Sequence, residues 1–265
     1  MQNILTLIDL TSTSEIALKQ SIAIAKKHGA KVTLLHIADY YAEDEKAGIK
    51  EKLWPYAKQI EEAGLTHSVI ITSGNLIQEV KNVVSSLSPN LVVVSTHGKK
   101  GIKQNLFGST IFKMIQEIST HTLVVNDDSK IVEGGFNKIL LPIAPHPDYL
   151  LKVKAAKELI SPTGIMVIFV LIKPGAILDN KLIRNIEATK EYLNQNGVRW
   201  SYFSEDSTKY AVGYSKETLE LVSQMNIDLI SIMTRVSEEN QSFGKMDKEN
   251  LLLNKQGMPI LCANN

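Results

Sequence analysis

The chain has 265 residues, 44% of them hydrophobic and 22% charged, with a formal net charge of +1 at pH 7. That length can bury the core of one large domain or two ordinary ones, and a charge so near zero excludes a global drive toward nucleic acid or an anionic membrane. Its single cysteine, Cys262, cannot form an internal disulfide, and no stretch approaches the roughly 20 apolar residues of a membrane helix, so a soluble protein of a reducing cytoplasm is expected.

Met1-Gln2-Asn3 leads directly into the apolar run Ile4 to Ile8, which reads as a first strand rather than a signal peptide and is closed by Asp9. Ser12-Thr13-Ser14-Glu15 offers a capping box, Leu18, Ile22 and Ala25 form one apolar helix face, and Gly29 stops the helix. Residues 31 to 37 make the second strand, so strand, helix and strand form a βαβ unit and imply a parallel sheet. A helix is expected around Trp54 and Pro55, with Pro55 starting or kinking it. The third strand is residues 67 to 72; Ile77, Val80, Val84 and Leu87 mark the third helix, and residues 91 to 94 the fourth strand. Ile111, Ile115 and Ile118 mark the fourth helix, and residues 122 to 125 the last strand of this half.

Between residues 91 and 110 a buried strand runs into a loop rich in glycine and lysine, and Gly108-Ser109-Thr110 opens the next helix. This is the layout of an anion site, because glycines let backbone N–H groups approach a ligand and a helix N-terminus favours phosphate. From Leu91 to Gln116 there is no Asp or Glu, while Lys99, Lys100, Lys103 and Lys113 are present.

After Gly134-Gly135 the pattern starts again. Residues 137 to 144 echo residues 2 to 9, with Ile139 standing 135 residues after Ile4, and residues 226 to 234 lie over residues 88 to 96 at an offset of 138. Residues 164 to 170 answer the second strand, and Leu182, Ile186, Thr189 and Leu193 form the helix after it. Two copies of one α/β domain follow, residues 1–132 and 136–265. In the second copy Ala144 replaces Asp9, Arg235 and Val236 replace His97 and Gly98, Glu238 and Glu239 enter the loop, and Lys245 rather than a hydroxyl residue follows Gly244. A β-branched Val resists the backbone angles a glycine loop needs, so the phosphate loop is kept in the first copy and lost in the second.

Asp9, the run Leu34-Leu35-His36-Ile37, and Gly98 followed after nine residues by Gly108-Ser109 resemble the universal stress protein family in its tandem form. The last two glycines of the family's ATP-binding signature, Gly-x2-Gly-x9-Gly-Ser/Thr, are matched; Ser95 stands at the first. The resemblance implies two doubly wound domains, each a five-stranded parallel sheet of order 3-2-1-4-5 flanked by helices, with ATP, ADP or AMP at the carboxyl ends of strands 1 and 4. By resemblance Leu7, Ile8 and Asp9 line the adenine and ribose pocket and Ile37 packs on adenine. Val94, Ser95 and Gly98 pass beneath ribose and phosphates, Gly108, Ser109 and Thr110 hold phosphate oxygens, and a divalent ion such as Mg²⁺ rides on them. The halves are expected to pair through residues 122 to 125 and 259 to 262, and two chains to form a homodimer.

The expected role is regulatory or protective under stress. Two rivals stay open, an interaction module without nucleotide and a slow ATP hydrolase using His97 or Asp9. No P-loop or nucleophile-elbow motif occurs. His28, His36, His67, His121 and His146 show no metal-ligand spacing. Cys262 reads as a buried small residue, and Trp54 and Trp200 as packing residues.

Overall fold

The computed structural model describes residues 1–38, 40, 45–96, 108–172, 179–206, 215–235 and 245–264. The first half runs β1 (Asn3–Leu7), α1 (Ser12–His28), β2 (Lys31–Ala38), α2 (Lys46–Glu62), β3 (His67–Ser73), α3 (Leu76–Leu87), β4 (Leu91–Thr96), α4 (Gly108–Glu117) and β5 (Thr122–Asn126). The second runs β6 (Phe136–Pro142), α5 (Leu150–Leu159), β7 (Ile160–Ile172), α6 (Asn180–Gln195), β8 (Arg199–Asp206), α7 (Ser215–Met225), β9 (Leu229–Met233), α8 (Lys245–Leu252) and β10 (Ile260–Ala263). All strands lie in one sheet of order β3-β2-β1-β4-β5-β10-β9-β6-β7-β8. The expected 3-2-1-4-5 order is therefore present in the first half, and the second repeats it as β8-β7-β6-β9-β10.

The sheet register fixes how the halves correspond. Ile4 pairs with Leu91 in one half and Ile139 with Leu229 in the other, which reproduces the offsets of 135 and 138. Every pairing within a half is parallel, as crossover helices require. The junction alone is antiparallel: Val124, Leu123 and Thr122 face Ile260, Leu261 and Cys262. Leu123 and Leu261 are the same position in the two copies, so the pair lies on a local two-fold, the self-complementary arrangement of a symmetric dimer built into one chain. At the ends of these strands Asn126 Nδ2 donates to Asn254 O (2.9 Å), and Asn264 Nδ2 to Ile115 O and Thr120 O (3.0 Å each). These two asparagines, equivalent at the offset of 138, thus each satisfy helix-end or loop carbonyls of the other half, at about 1 kcal/mol per bond.

Side-chain alternation along the strands divides the core into two layers that run through both halves. Leu91 and Val93 join the side covered by α1, α2, α5 and α6, whereas Val92 and Val94 join the side covered by α3, α4, α7 and α8. The apolar spacing read on α6 is buried as expected, at Leu182, Ile186, Thr189 and Leu193. Helix α1 is buried more widely than its stripe suggests. Gln20 exchanges hydrogen bonds with the backbone of Val132, so the connecting segment covers a second side.

Three local expectations need correction. The N-cap of α1 is Thr11 rather than Ser12, and no side chain caps it; Ser14 reaches back to Asp9 instead. Helix α2 starts at Lys46 and carries Pro55 in its interior, so Pro55 does not start it. Trp54, expected to pack, is 53% exposed; Trp200 is half-buried with Lys190 over its ring. The missing N–H of Pro55 frees the carbonyl of Glu51, an exposed residue whose backbone water can serve. Among the described residues no helix is long and apolar enough to cross a membrane.

Candidate nucleotide site

In an open parallel sheet, ligands bind outside the carboxyl ends of the strands where the order reverses, here between β1 and β4. Leu7 ends β1 and faces Leu35 of β2, and the neighbouring pair Thr6 and Val93 sets Leu7 level with Val94. Leu7, Ile8, Val94 and Ser95 are all buried. Ile37, two residues beyond Leu35, is half-buried near the end of β2. Ile8 N donates to Leu35 O (2.9 Å), extending the ladder by one bond past β1. These residues therefore meet at one end of the sheet. Gly108, Ser109 and Thr110 form the first turn of α4, with Ser109 exposed and Thr110 half-buried. Gly98 and His97, with Lys99, Lys100 and Lys103, lie outside the described residues.

The chain leaves β1 through a tight turn that Asp9 organises. One carboxylate oxygen, Oδ1, accepts from Thr11 N (3.0 Å), from the Thr11 hydroxyl and from the Ser14 hydroxyl. Ser14 Oγ in turn accepts from Asp9 N (2.9 Å). Leu10 takes the left-handed φ of 63° that the turn requires. Asp9 thus has the local turn role that a strand-end aspartate often has, and the same bonds fix its carboxylate just past the end of β1.

The fold gives two residues near this turn a role that the sequence alone does not show. His36 is buried on β2, and its Nδ1 lies 2.7 Å from Ile8 O. A carbonyl only accepts, so Nδ1 holds the proton, and the ring fixes the end of β1. Tyr56 on α2 is buried, and burial, followed by the nearby Glu15 and Asp9 carboxylates, raises its phenol above the usual value. Only the fold brings α2 over this turn. The signals available were an apolar helix face for Tyr56 and a polar interruption in an apolar strand for His36.

The residues present fit an adenine nucleotide at three points. Asp9 offers an anchored carboxylate of the kind that accepts from ribose hydroxyls, buried apolar residues end the neighbouring strands, and the ten-residue helix α4 starts on a glycine, as a helix that donates N–H groups to phosphate does. Ser95 departs from the family's glycine and is a buried ladder residue, opposite Val125 of β5. Among the described residues no group of three or more His, Cys, Asp or Glu could hold a metal. Cys262 is fully buried, and burial pushes its thiol up to about 12, which leaves it inert as a nucleophile.

Residues 1–126 match the model of the Universal stress protein family. Over 99% of its length the chain shares the fold of a universal stress protein from Archaeoglobus fulgidus DSM 4304, with a TM-score of 0.74 at 16% identity and 96% of that chain covered. A putative universal stress protein from Pseudomonas aeruginosa UCBPP-PA14 matches over 99% of this chain and 93% of its own, with a TM-score of 0.66 at 13% identity. No curated protein sequence matches the chain significantly.

Proposed function

Taking residues 1–126 as a universal stress protein domain, we propose that the first half binds an adenine nucleotide, ATP or its ADP or AMP products, as a sensed ligand in a stress response. The unit doing so is residues 1–132, and residues 136–265 are its structural partner. The observation that carries this reading is the Asp9 carboxylate, anchored at the end of β1 where the strand order reverses beside β4, in a chain whose next helix after β4, α4, starts on a glycine. In it Asp9 accepts from ribose hydroxyls, Leu7, Ile8 and Ile37 bracket adenine, Val94, Ser95 and Gly98 pass beneath the ribose and phosphates, and Gly108, Ser109 and Thr110 donate to phosphate oxygens. Because β5 and β10 cover each other, a homodimer would have to use another face.

Isothermal titration of the full chain with ATP and Mg²⁺ tests the reading, and a measurable heat at micromolar protein is the expected result. Asp9→Ala is expected to weaken binding about tenfold to a hundredfold, the worth of hydrogen bonds to a charged acceptor at about 1.5–3 kcal/mol. Gly98→Val copies the second half's Val236 and should abolish the heat while leaving the unfolding transition in place. Absence of heat with the unaltered chain sinks the nucleotide reading and leaves the interaction module. Steady phosphate release that His97→Ala abolishes would establish the hydrolase instead.

A further inference from the structure

The crevice of the second half, between the carboxyl ends of β6 and β9, has lost the glycine loop but is not blank. Two lysines are buried there, 4% and 3% exposed: Lys152 on α5 and Lys248 on α8. The Lys152 ammonium donates to Pro142 O at the end of β6, and Lys248 Nζ donates to Thr234 O (3.0 Å) and Arg235 O (2.7 Å) just past β9. The offset of 135, carried into the following helix, sets Lys152 opposite Ala17, and the offset of 138 sets Lys248 opposite Thr110. The second copy has thus exchanged the carboxylate of Asp9 for Ala144 and gained two cationic side chains at its switch point.

We propose that this crevice is a separate binding site for a small oxyanion of the phosphate type, held by Lys152 and Lys248 beside His146. The inference does not depend on nucleotide binding in the first half. Among the described residues neither lysine makes an ion pair, and the charge that each senses from the other side is not a carboxylate. Each ammonium has three donors; Lys152 uses one on Pro142 O and Lys248 two. Buried charge of one sign with donors to spare needs an acceptor of the other sign. The loop between is a built one, since Asn185 Nδ2 on α6 ties Ala144 O (2.9 Å) and His146 O (3.2 Å), and His146 Nδ1 accepts from Asp148 N (3.0 Å). No carboxylate replaces Asp9 to take ribose hydroxyls, which favours a small anion over a nucleoside.

Proton binding should report the anion. Burial lowers Lys152 to about 7, with the Lys248 charge adding to it, and lowers Lys248 to about 8. Burial, then the Lys248 charge, lowers His146 as well. Among the described residues, the other groups near the cluster are the Cys262 thiol on β10, Asp148 beside His146, Asp247 next to Lys248 in the chain, whose Oδ1 is taken by Ser215 N, and Arg235, which presents its carbonyl. An anion that prefers the charged amines raises their pKa, so it binds more tightly as pH falls from 9 toward 7.

The full chain is titrated with inorganic phosphate, following the ε-carbon signals of labelled lysine and the thermal unfolding midpoint. Saturating phosphate is expected to raise the Lys152 titration by about one pH unit, a tenfold preference for the charged form. It is also expected to raise the unfolding midpoint, an effect lost in Lys152→Met and in the milder Lys248→Gln but retained in Gly98→Val. An unmoved Lys152 titration overturns the proposal and makes the lysines internal plugs for strand-end carbonyls. A phosphate effect that survives both lysine changes, or that Gly98→Val removes, overturns it equally by placing the anion in the first half.

Discussion

Replacing Gly257 with alanine should destabilise the chain by about 3 kcal/mol, which for a protein of this size lowers the unfolding midpoint by roughly 10 °C. Gly257 has a φ of +71°, and a Cβ there would sit 2.2 Å from Asp128 O and 2.5 Å from Asp128 C. The left-handed angle costs an L-residue about 1–2 kcal/mol, and the overlap with backbone rather than a movable side chain adds about 1–3 kcal/mol. The clash falls where the two halves are stitched. Asp128 follows β5 in the connecting segment, and Gly257 belongs to the loop before β10, which Asn254 holds by accepting from Met258 N (2.8 Å) and donating to Leu251 O (2.8 Å). Gly197→Ala is the control, because Gly197 has a similar φ of +65° and nothing within 4 Å of its added Cβ. Urea unfolding of both variants gives the comparison. If Gly257→Ala loses no more than Gly197→Ala, the junction yields more easily than its close contact with Asp128 implies.

The fold could be read so far ahead because its information is periodic. Continuous apolar runs such as 91 to 94 mark strands buried on both faces, and stripes such as Leu182, Ile186, Thr189 and Leu193 mark the covering helices; neither depends on distant residues. The internal repeat added more, because two sequences for one register check each other, and the offsets of 135 and 138 are those of the ladders. The pairing of β5 with β10 agrees with the expectation drawn from the resemblance.

Local chemistry was harder to read where one motif serves two geometries. Ser12 to Glu15 has the capping-box spacing, yet the hydroxyl of Ser14 is more useful to Asp9, since the tight turn after β1 leaves both the Asp9 N–H and its carboxylate seeking partners. Pro55 reads as a helix start on propensity, but apolar Leu53, Tyr56, Ala57 and Ile60 bury one face of α2 and hold the helix through it. His36 and Tyr56 gain their places from the crossing of β2 and α2 over β1, which no local pattern encodes. Lys152 and Lys248, some 96 residues apart in the chain, likewise come together at the ends of β6 and β9 only through the fold.

Those two lysines make stability depend on pH. In phosphate-free buffer the chain should gain stability between pH 7 and 8.5, and Lys152→Met should remove most of the gain. Lys152 titrates near 7 in the folded chain, against about 10.4 in an unfolded one. Below pH 7 both states hold the proton, and the folded state bears the whole cost of a buried charge. Above 7 only the unfolded state takes up the proton, so stability rises by up to about 1.4 kcal/mol per pH unit until the unfolded value is passed. Lys248, lowered to about 8, works in the same direction over a narrower window. Cys262 opposes them from about pH 8.5, where an unfolded thiol ionises while the buried one, pushed up to about 12, does not. The comparison with Lys152→Met cancels that thiol. Methionine fills a similar volume without a charge, so the variant should be the more stable at pH 7, and its lead should fall by up to about 1.4 kcal/mol per pH unit as pH rises. Urea midpoints at four pH values decide it; parallel curves for the two proteins would mean that Lys152 is not buried as a charge. If Lys152→Met proves the more stable at pH 7, the amine is kept at a cost to stability, and the switch point it occupies is where a parallel sheet of this kind holds its ligand.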